Sequence, residues 1–263
     1  MTATFLENIL AQKQTRVIAD KASANIDSLR EKAFSVRGSS PSHLLRAALK
    51  NDQRNNIIAE IKRASPSKGV INDVVDVTSL ARQYERGGAC AISVLTEEDF
   101  FNGSIADLSA VRGATSLPLL RKDFIFDEFQ IYEAAAAGAD AILLIVAALE
   151  VDDLERLHQL AECQLGMDAL VEVHDRNELG IAAGSGCSLI GVNNRNLSTF
   201  EVSLDVSRNM IEARPNGAVL VAESGINRLE HIAELKSLGF NGFLIGETLM
   251  RHGDPQGLLE AWV

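Results

Sequence analysis

Eight short apolar runs, each followed by a stretch of helical periodicity, constrain this chain more than any other feature. The runs begin near Asn56 (NIIAEIK), Cys90 (CAISVL), Pro118 (PLLRKD), Asp140 (DAILLIV), Asp168 (DALVEV), Ser188 (SLIGVN), Ala218 (AVLVAES) and Asn241 (NGFLIG). Apolar runs of this length, bounded by turn residues, read as strands buried on both faces. The stretches between them are amphipathic: residues 78–86 stop at Gly87-Gly88, 128–137 at Gly138 and 228–238 at Gly239. Glycine just past a helix end supplies the left-handed cap that other residues adopt only at a cost. Strand–helix alternation repeated eight times in 263 residues predicts a closed (β/α)8 barrel of the TIM type, an α/β fold. The alternative is an open, doubly wound sheet, which would usually carry GxGxxG after its first strand; that motif is missing.

The barrel is expected over residues 56–263 and the whole chain, 1–263, as one domain. Residues 1–50 read differently. Phe5, Leu6, Ile9 and Leu10 recur at helical spacing, as do Leu44, Leu45, Ala48 and Leu49, with Arg37-Gly38-Ser39-Ser40-Pro41 between them. Two helices preceding the barrel are expected there, and a C-terminal helix around 258–262 closes the chain. With 46% apolar residues, a sizeable core is available. No run of 18 apolar residues is present, and the N-terminal stretch, with Glu7 and Lys13, lacks the apolar core of a signal peptide. A cytoplasmic protein without membrane contact is expected, as a monomer, with a weak dimer as the alternative. The net charge of −11 argues against a nucleic-acid partner. Cys90, Cys163 and Cys187 form no CxxC pair and read as reduced, mostly buried thiols. The five histidines form no HxH or HxxxH pair, so no metal site is expected.

Charges sit where the apolar strands should end. Alternate residues of a barrel strand point inward. Ile58, Glu60 and Lys62 share one face of the first strand, Leu120 and Lys122 one of the third, and Leu170 and Glu172 one of the fifth. Gly191 and Asn193 do so in the sixth, and Val221 and Glu223 in the seventh. A single charge at a strand end usually marks where the chain meets water. Five strands doing so on the inward face converge on one cavity, at the mouth where catalytic residues of this fold arise. A one-residue slip in register would reverse that assignment. Lys62 and Lys122 are candidate proton donors, and the glutamates are candidate acceptors or holders of the lysines. A Schiff base between a lysine and a ketone stays open as a second reading. Ser65-Pro66-Ser67-Lys68-Gly69 after the first strand offers hydroxyls, an ammonium and a flexible glycine. Ser224-Gly225 after the seventh strand and Gly246-Glu247-Thr248 after the eighth match the usual phosphate position of such barrels.

Six segments carry a family resemblance. They are Glu60-Ile61-Lys62-Arg63-Ala64-Ser65-Pro66-Ser67-Lys68-Gly69, Leu95-Thr96-Glu97-Glu98-Asp99-Phe100-Phe101-Asn102-Gly103-Ser104 and Leu120-Arg121-Lys122-Asp123-Phe124. The others are Val171-Glu172-Val173-His174, Gly191-Val192-Asn193-Asn194-Arg195-Asn196-Leu197 and Ala222-Glu223-Ser224-Gly225-Ile226. In family order, they closely resemble the signature of indole-3-glycerol-phosphate synthase. The resemblance implies a carboxy-lyase of tryptophan biosynthesis acting on the small molecule 1-(2-carboxyphenylamino)-1-deoxyribulose 5-phosphate. The products would be indole-3-glycerol phosphate, carbon dioxide and water, with no cofactor. It implies N-terminal helices over the barrel mouth. It implies Lys122 as the acid that protonates the ketone oxygen during ring closure. Lys62, Glu60 and Glu172 are implied for the later proton transfers and for positioning, with their division between acid and base left open. Asn193, Arg195, Glu223 and Ser224 match substrate-contacting positions. Ser65, Gly225, Gly246 and Glu247 match the phosphate cradle, Glu247 through its backbone N–H. Phe101 and Phe124 are candidate walls for the aromatic ring, with plain packing as the other reading. Some family members carry serine in the loop where this chain has Glu247-Thr248. The competing enzyme readings are phosphoribosylanthranilate isomerase and a Schiff-base aldolase; a barrel that only binds ligand is the non-catalytic one.

Overall fold

The computed structural model describes residues 5–197 and 199–263; residues 1–4 of the expected extension and Ser198 lie outside that description. Eight parallel strands close into a barrel: β1 (Ile57–Ile61), β2 (Ala91–Leu95), β3 (Leu119–Lys122), β4 (Ala141–Ile145), β5 (Asp168–Val173), β6 (Leu189–Asn193), β7 (Val219–Glu223) and β8 (Gly242–Ile245). Each pairs with its neighbours in sequence, and β1 pairs with both β2 and β8. The expected closed barrel is the observed one.

Three of the connecting helices start at aspartates that cap them, Asp76, Asp127 and Asp175. Asp76 accepts the backbone N–H groups of Thr78 and Ser79 at the start of Val77–Arg86. Asp127 and Gln130 form a reciprocal capping box on Glu128–Ala136. Gly239, with φ of 113°, ends Leu229–Leu238 as a left-handed cap.

The apolar residues separate into two layers. Ile58, Leu120, Leu143, Leu170, Val221 and Leu244 fill the barrel interior. Ile57, Ile92, Leu144, Val171, Ile190, Leu220 and Phe243 point out against the helices. The inward face is therefore the one that alternation selects, and it carries Glu60, Lys122, Glu172, Asn193 and Glu223 at its upper end. Register aligns these ends: Ile145 lies opposite Glu172, and Asn193 opposite Glu223.

Among its described residues the N-terminal extension holds three helices where the apolar spacing predicts two. α1 (Phe5–Ser23) crosses the barrel mouth, with Phe5, Leu6 and Ile9 facing the cavity there. α2 (Ile26–Gly38) packs on the outer wall against Glu128–Ala136, and buried Arg37 reaches Asp140 at 2.9 Å. Ala33 and Arg37 are the buried residues of α2, and beside them Leu29 and Phe34 pack partly buried against the core, the Phe34 ring 6.3 Å from that of Tyr132. α3 (Leu44–Ala48) closes the opposite end. Leu45 and Leu49 join the interior core, and the Arg46 backbone N–H donates to Asp168 at 2.9 Å. A side chain on Gly242 would meet Leu49, so this glycine makes room for the plug. One extension thus lids one end of the barrel and plugs the other.

Leu45 is fully buried. Leu45→Ala is expected to lower the unfolding free energy by about 2–5 kcal/mol, read from urea denaturation, because the lost leucine leaves a cavity in the plug.

Candidate active site

The C-terminal mouth of the barrel encloses a cavity of about 800 Å³, within the range that small ligands occupy. Every site residue expected from the sequence lines it: Glu60, Lys62, Ser65, Phe101, Lys122, Phe124, Glu172, Asn193, Arg195, Glu223, Ser224, Gly225, Gly246 and Glu247.

Lys122 stands at the end of β3 and reaches across the barrel. Its Nζ is 3.1 Å from Glu172 Oε2 and 3.5 Å from Glu223 Oε2. Lys62, just past β1, pairs with Glu60 Oε2 at 2.6 Å. Two glycines clear space for these carboxylates: a Cβ on Gly191 would collide with Glu223 Oε1, and one on Gly246 with Glu60 Oε2. Small residues are needed there because the carboxylates point into the barrel rather than out to water.

Burial and charge compete at each group. Burial alone would favour the neutral amine of Lys122, but Glu172, Glu223 and Glu60 outweigh it and hold the lysine above its ordinary range. Burial would raise Glu172, yet the charge of Lys122, His174 and a hydrogen bond with Asn193 hold it well below the usual carboxylate range. For Glu223 burial wins. Lys122 opposes it, Glu172 and Glu60 reinforce it, and its carboxyl is pushed up to about 8. Among the described residues Glu223 Oε1 has no hydrogen-bond partner, which leaves it available to a ligand hydroxyl.

The remaining walls come from loops. Arg195 donates its backbone N–H to Asn193 Oδ1 at 3.0 Å, and its guanidinium to Ser67 Oγ and Phe200 O, each at 3.2 Å. Buried Glu97 accepts the backbone N–H groups of Asp99, Phe100 and Phe101, which fixes the loop that carries Phe101. The rings of Phe101 and Phe124 lie 6.2 Å apart. Ser65 belongs to a two-residue hairpin, Ala64–Ser65 paired with Gly69–Val70. Ser224 and Gly225 both have positive φ, and Gly246 precedes the short helix Glu247–Arg251. The Glu247 carboxylate is engaged by Arg251 at 3.1 Å and lies 3.9 Å from Lys68, so its side chain faces cations of the protein.

Several participants escaped the sequence reading. Lys13 of α1 is 3% exposed and joins Glu98 at 2.9 Å and Asp123 at 3.0 Å, which ties the lid to the residue after Lys122. Its signal was present: a charge between Ile9 and Val17 on the buried face of α1. Phe5 packs edge-on against Phe100 and Phe200, closing the lid over two loops. His174 ends the motif Val171-Glu172-Val173-His174, in which the sequence assigns it no role. Arg251 carried no chemical signal in the sequence, whereas α1 lies over the mouth as the family resemblance implied. Of the three cysteines, Cys90 and Cys187 are buried and Cys163 is exposed, in keeping with thiols that are mostly buried.

A family model described as indole-3-glycerol phosphate synthase matches residues 6–261. The chain belongs to the indole-3-glycerol phosphate synthase family. Indole-3-glycerol phosphate synthase from Carboxydothermus hydrogenoformans is 45% identical over 260 residues, covering 97% of this chain and 98% of the relative. The enzyme of that name from Neisseria meningitidis serogroup B is 46% identical over 253 residues, 95% of each chain. Among solved structures, thiamine phosphate pyrophosphorylase from Pyrococcus furiosus superposes with a TM-score of 0.60 at 19% identity, covering 82% of this chain and 94% of that one. 3-Hexulose-6-phosphate synthase from Salmonella typhimurium does so with a TM-score of 0.61 at 14% identity, covering 78% and 94%. Those two likenesses concern the fold alone. Indole-3-glycerol phosphate synthases are the carboxy-lyases of tryptophan biosynthesis, and the six motifs named from the sequence lie within the matched span.

Glu223 supplies a stability test. Its folded-state pKa, about 8, lies above the ordinary 4.5. The native state therefore holds a proton that the unfolded chain has released, and stability falls as pH rises from 4.5 to 8. Glu223→Gln is expected to raise the melting temperature above pH 8 relative to wild type and to leave it nearly unchanged near pH 4.5. Calorimetry across that range checks the sign.

Proposed function

We propose that this chain is an active indole-3-glycerol phosphate synthase in which Lys122 is the acid for ring closure. The substrate is the small molecule 1-(2-carboxyphenylamino)-1-deoxyribulose 5-phosphate. The reading rests on one observation above the others: the Lys122 ammonium, held between Glu172 and Glu223 inside the cavity.

In this reaction the ring carbon bearing the carboxylate attacks the ketone carbon. A carbon–carbon bond forms, and the carbonyl oxygen takes up the electron pair. That oxygen becomes an alkoxide, a stronger base than an amine, so proton transfer from even a raised-pKa lysine runs downhill. The ammonium also stabilises the charge as it develops, in a site where little water screens it. Carbon dioxide then leaves, its bonding electrons neutralising the cationic ring nitrogen. Loss of the hydroxyl as water and of a ring proton restores aromaticity. Glu172, held ionised, is suited to take that proton. Lys62, paired with Glu60, is suited to donate to the departing hydroxyl.

Asn193, Arg195, Glu223 and Ser224 hold the substrate, with Phe101 and Phe124 beside its aromatic ring. The phosphate takes Ser65 and the backbone N–H groups of Gly225, Gly246 and Glu247. A charged Lys122 is a poor nucleophile, which disfavours the Schiff-base reading. All these groups come from one chain, which supports a working monomer in which residues 1–263 act as a unit. No described helix is long and apolar enough to cross a membrane. The unpaired cysteines support a cytoplasmic site of action.

Purified protein given the substrate, without added metal or cofactor, is expected to develop indole fluorescence. Lys122→Ala should lower turnover by a factor on the order of a hundred or more, as loss of a general acid does. Unchanged turnover would remove Lys122 from the acid role. Lys62→Met is expected to accumulate a decarboxylated species heavier than product by one water, seen by mass spectrometry after rapid quenching.

A further inference from the structure

Glu172 has a neighbour that the ring-closing chemistry leaves unused. His174 sets its Nε2 3.3 Å from Glu172 Oε1, while Lys122 approaches the other oxygen, Oε2, at 3.1 Å. The far side of the imidazole is held as well. His174 Nδ1 lies 3.1 Å from Glu178 Oε2, and the same oxygen accepts the His174 backbone N–H at 2.7 Å. Glu178 stands in the first turn of the helix Arg176–Gly184, whose N-terminus Asp175 caps. The ring is therefore fixed by main chain and side chain together, and it is mostly buried.

Both ring nitrogens lie within ion-pair distance of carboxylate oxygens: Nδ1 is hydrogen-bonded to Glu178, whereas Nε2, buried and 3.3 Å from Glu172 Oε1, makes no hydrogen bond among the described residues. An ionised carboxylate only accepts hydrogen bonds, and a neutral imidazole has a single N–H to give. In either neutral tautomer, one bare lone pair would confront an anionic oxygen. Only the doubly protonated ring suits both neighbours.

We propose that His174 is a positioning residue: an imidazolium clamped between Glu178 and Glu172 that holds Glu172 Oε1 and leaves Oε2 to face Lys122 and the substrate. The proposal rests on the assignment of Glu172 to proton transfer.

The charged groups acting on the ring are Glu172 on the strand that His174 follows and Glu178 on the next helix. Burial opposes the charged ring, those two carboxylates outweigh it, and the imidazole is pushed up to about 10. Beyond Glu172 stand Lys122 from β3 and Asn193 from β6. Two cations thus act on opposite oxygens of one buried carboxylate. Lys122 is committed to the ketone oxygen during ring closure, and once it gives up its proton it no longer neutralises Glu172. His174 remains, so Glu172 stays ionised and in place for the proton it takes later.

The pH–rate profile tests this. In wild type, kcat should fall at acid pH as Glu172 becomes protonated. His174→Gln keeps an amide donor near the ring position but removes the cation. Its acid limb is expected to move up by roughly one pH unit or more, with kcat reduced and KM little changed. An acid limb that stays in place overturns the proposal, since a purely structural defect would lower activity at every pH alike. Nitrogen NMR of the wild-type histidines gives a second reading that needs no folded variant: His174 protonated on both ring nitrogens at pH 8 is expected, and a neutral ring there overturns it. Glu172→Gln separates the two assignments. Full turnover in that variant overturns the role of Glu172, and the present proposal with it. Lost turnover there together with an unmoved His174→Gln profile overturns His174 alone.

Discussion

The ion pair between Lys122 and Glu172 is the interaction on which the site depends. Two opposite charges removed from water cost several kcal/mol in desolvation, which their attraction repays only when geometry and additional partners are good. Here Lys122 has Glu172 and Glu223, and Glu172 has Lys122 and His174. Each group keeps its charge because the others keep theirs. The exception is Glu223, where burial and two like-charged neighbours prevail over the lysine. One carboxyl near neutrality and one held ionised, a few ångströms apart, form an arrangement in which environment alone gives identical side chains different duties.

That arrangement needs a container with a dry floor and a covered top. The interior layer of Ile58, Leu120, Leu143, Leu170, Val221 and Leu244 supplies the floor. The bottom of the barrel is sealed by Leu45 and Leu49, and the top is narrowed by α1. Lys13 connects the lid to Asp123, which is also held by Arg121 and Thr96 and adjoins Lys122 in the chain. The extension is therefore part of the electrostatic design: it excludes water from charges whose strength depends on that exclusion.

The barrel was legible in the sequence because its signals are local and repeat eight times. Alternation along five strands placed Glu60, Lys122, Glu172, Asn193 and Glu223 on one face, and the two-layer core agrees with that register. The extension was legible only in part. α1 and α3 show apolar spacing, whereas α2 buries two residues fully and adds to its partly buried Leu29 and Phe34 the contact of Arg37 with Asp140, about a hundred positions away. Lys13 was hidden for the same reason. A lysine on an apolar helix face identifies no partner, and Glu98 and Asp123 are distant in the chain.

The sequence by itself determined the fold class, the inward face of the strands and, through its motifs, the family. Those properties follow from periodicities of two and of about 3.6 residues, and from short motifs, all written within a few tens of residues. Only the tertiary structure decided which carboxylate is held ionised and which is pushed up, that Gly191 and Gly246 exist to admit Glu223 and Glu60, and that His174 stands behind Glu172. Proton affinity depends on distance, burial and the charges of neighbours from other strands. Those quantities exist only once the barrel has closed.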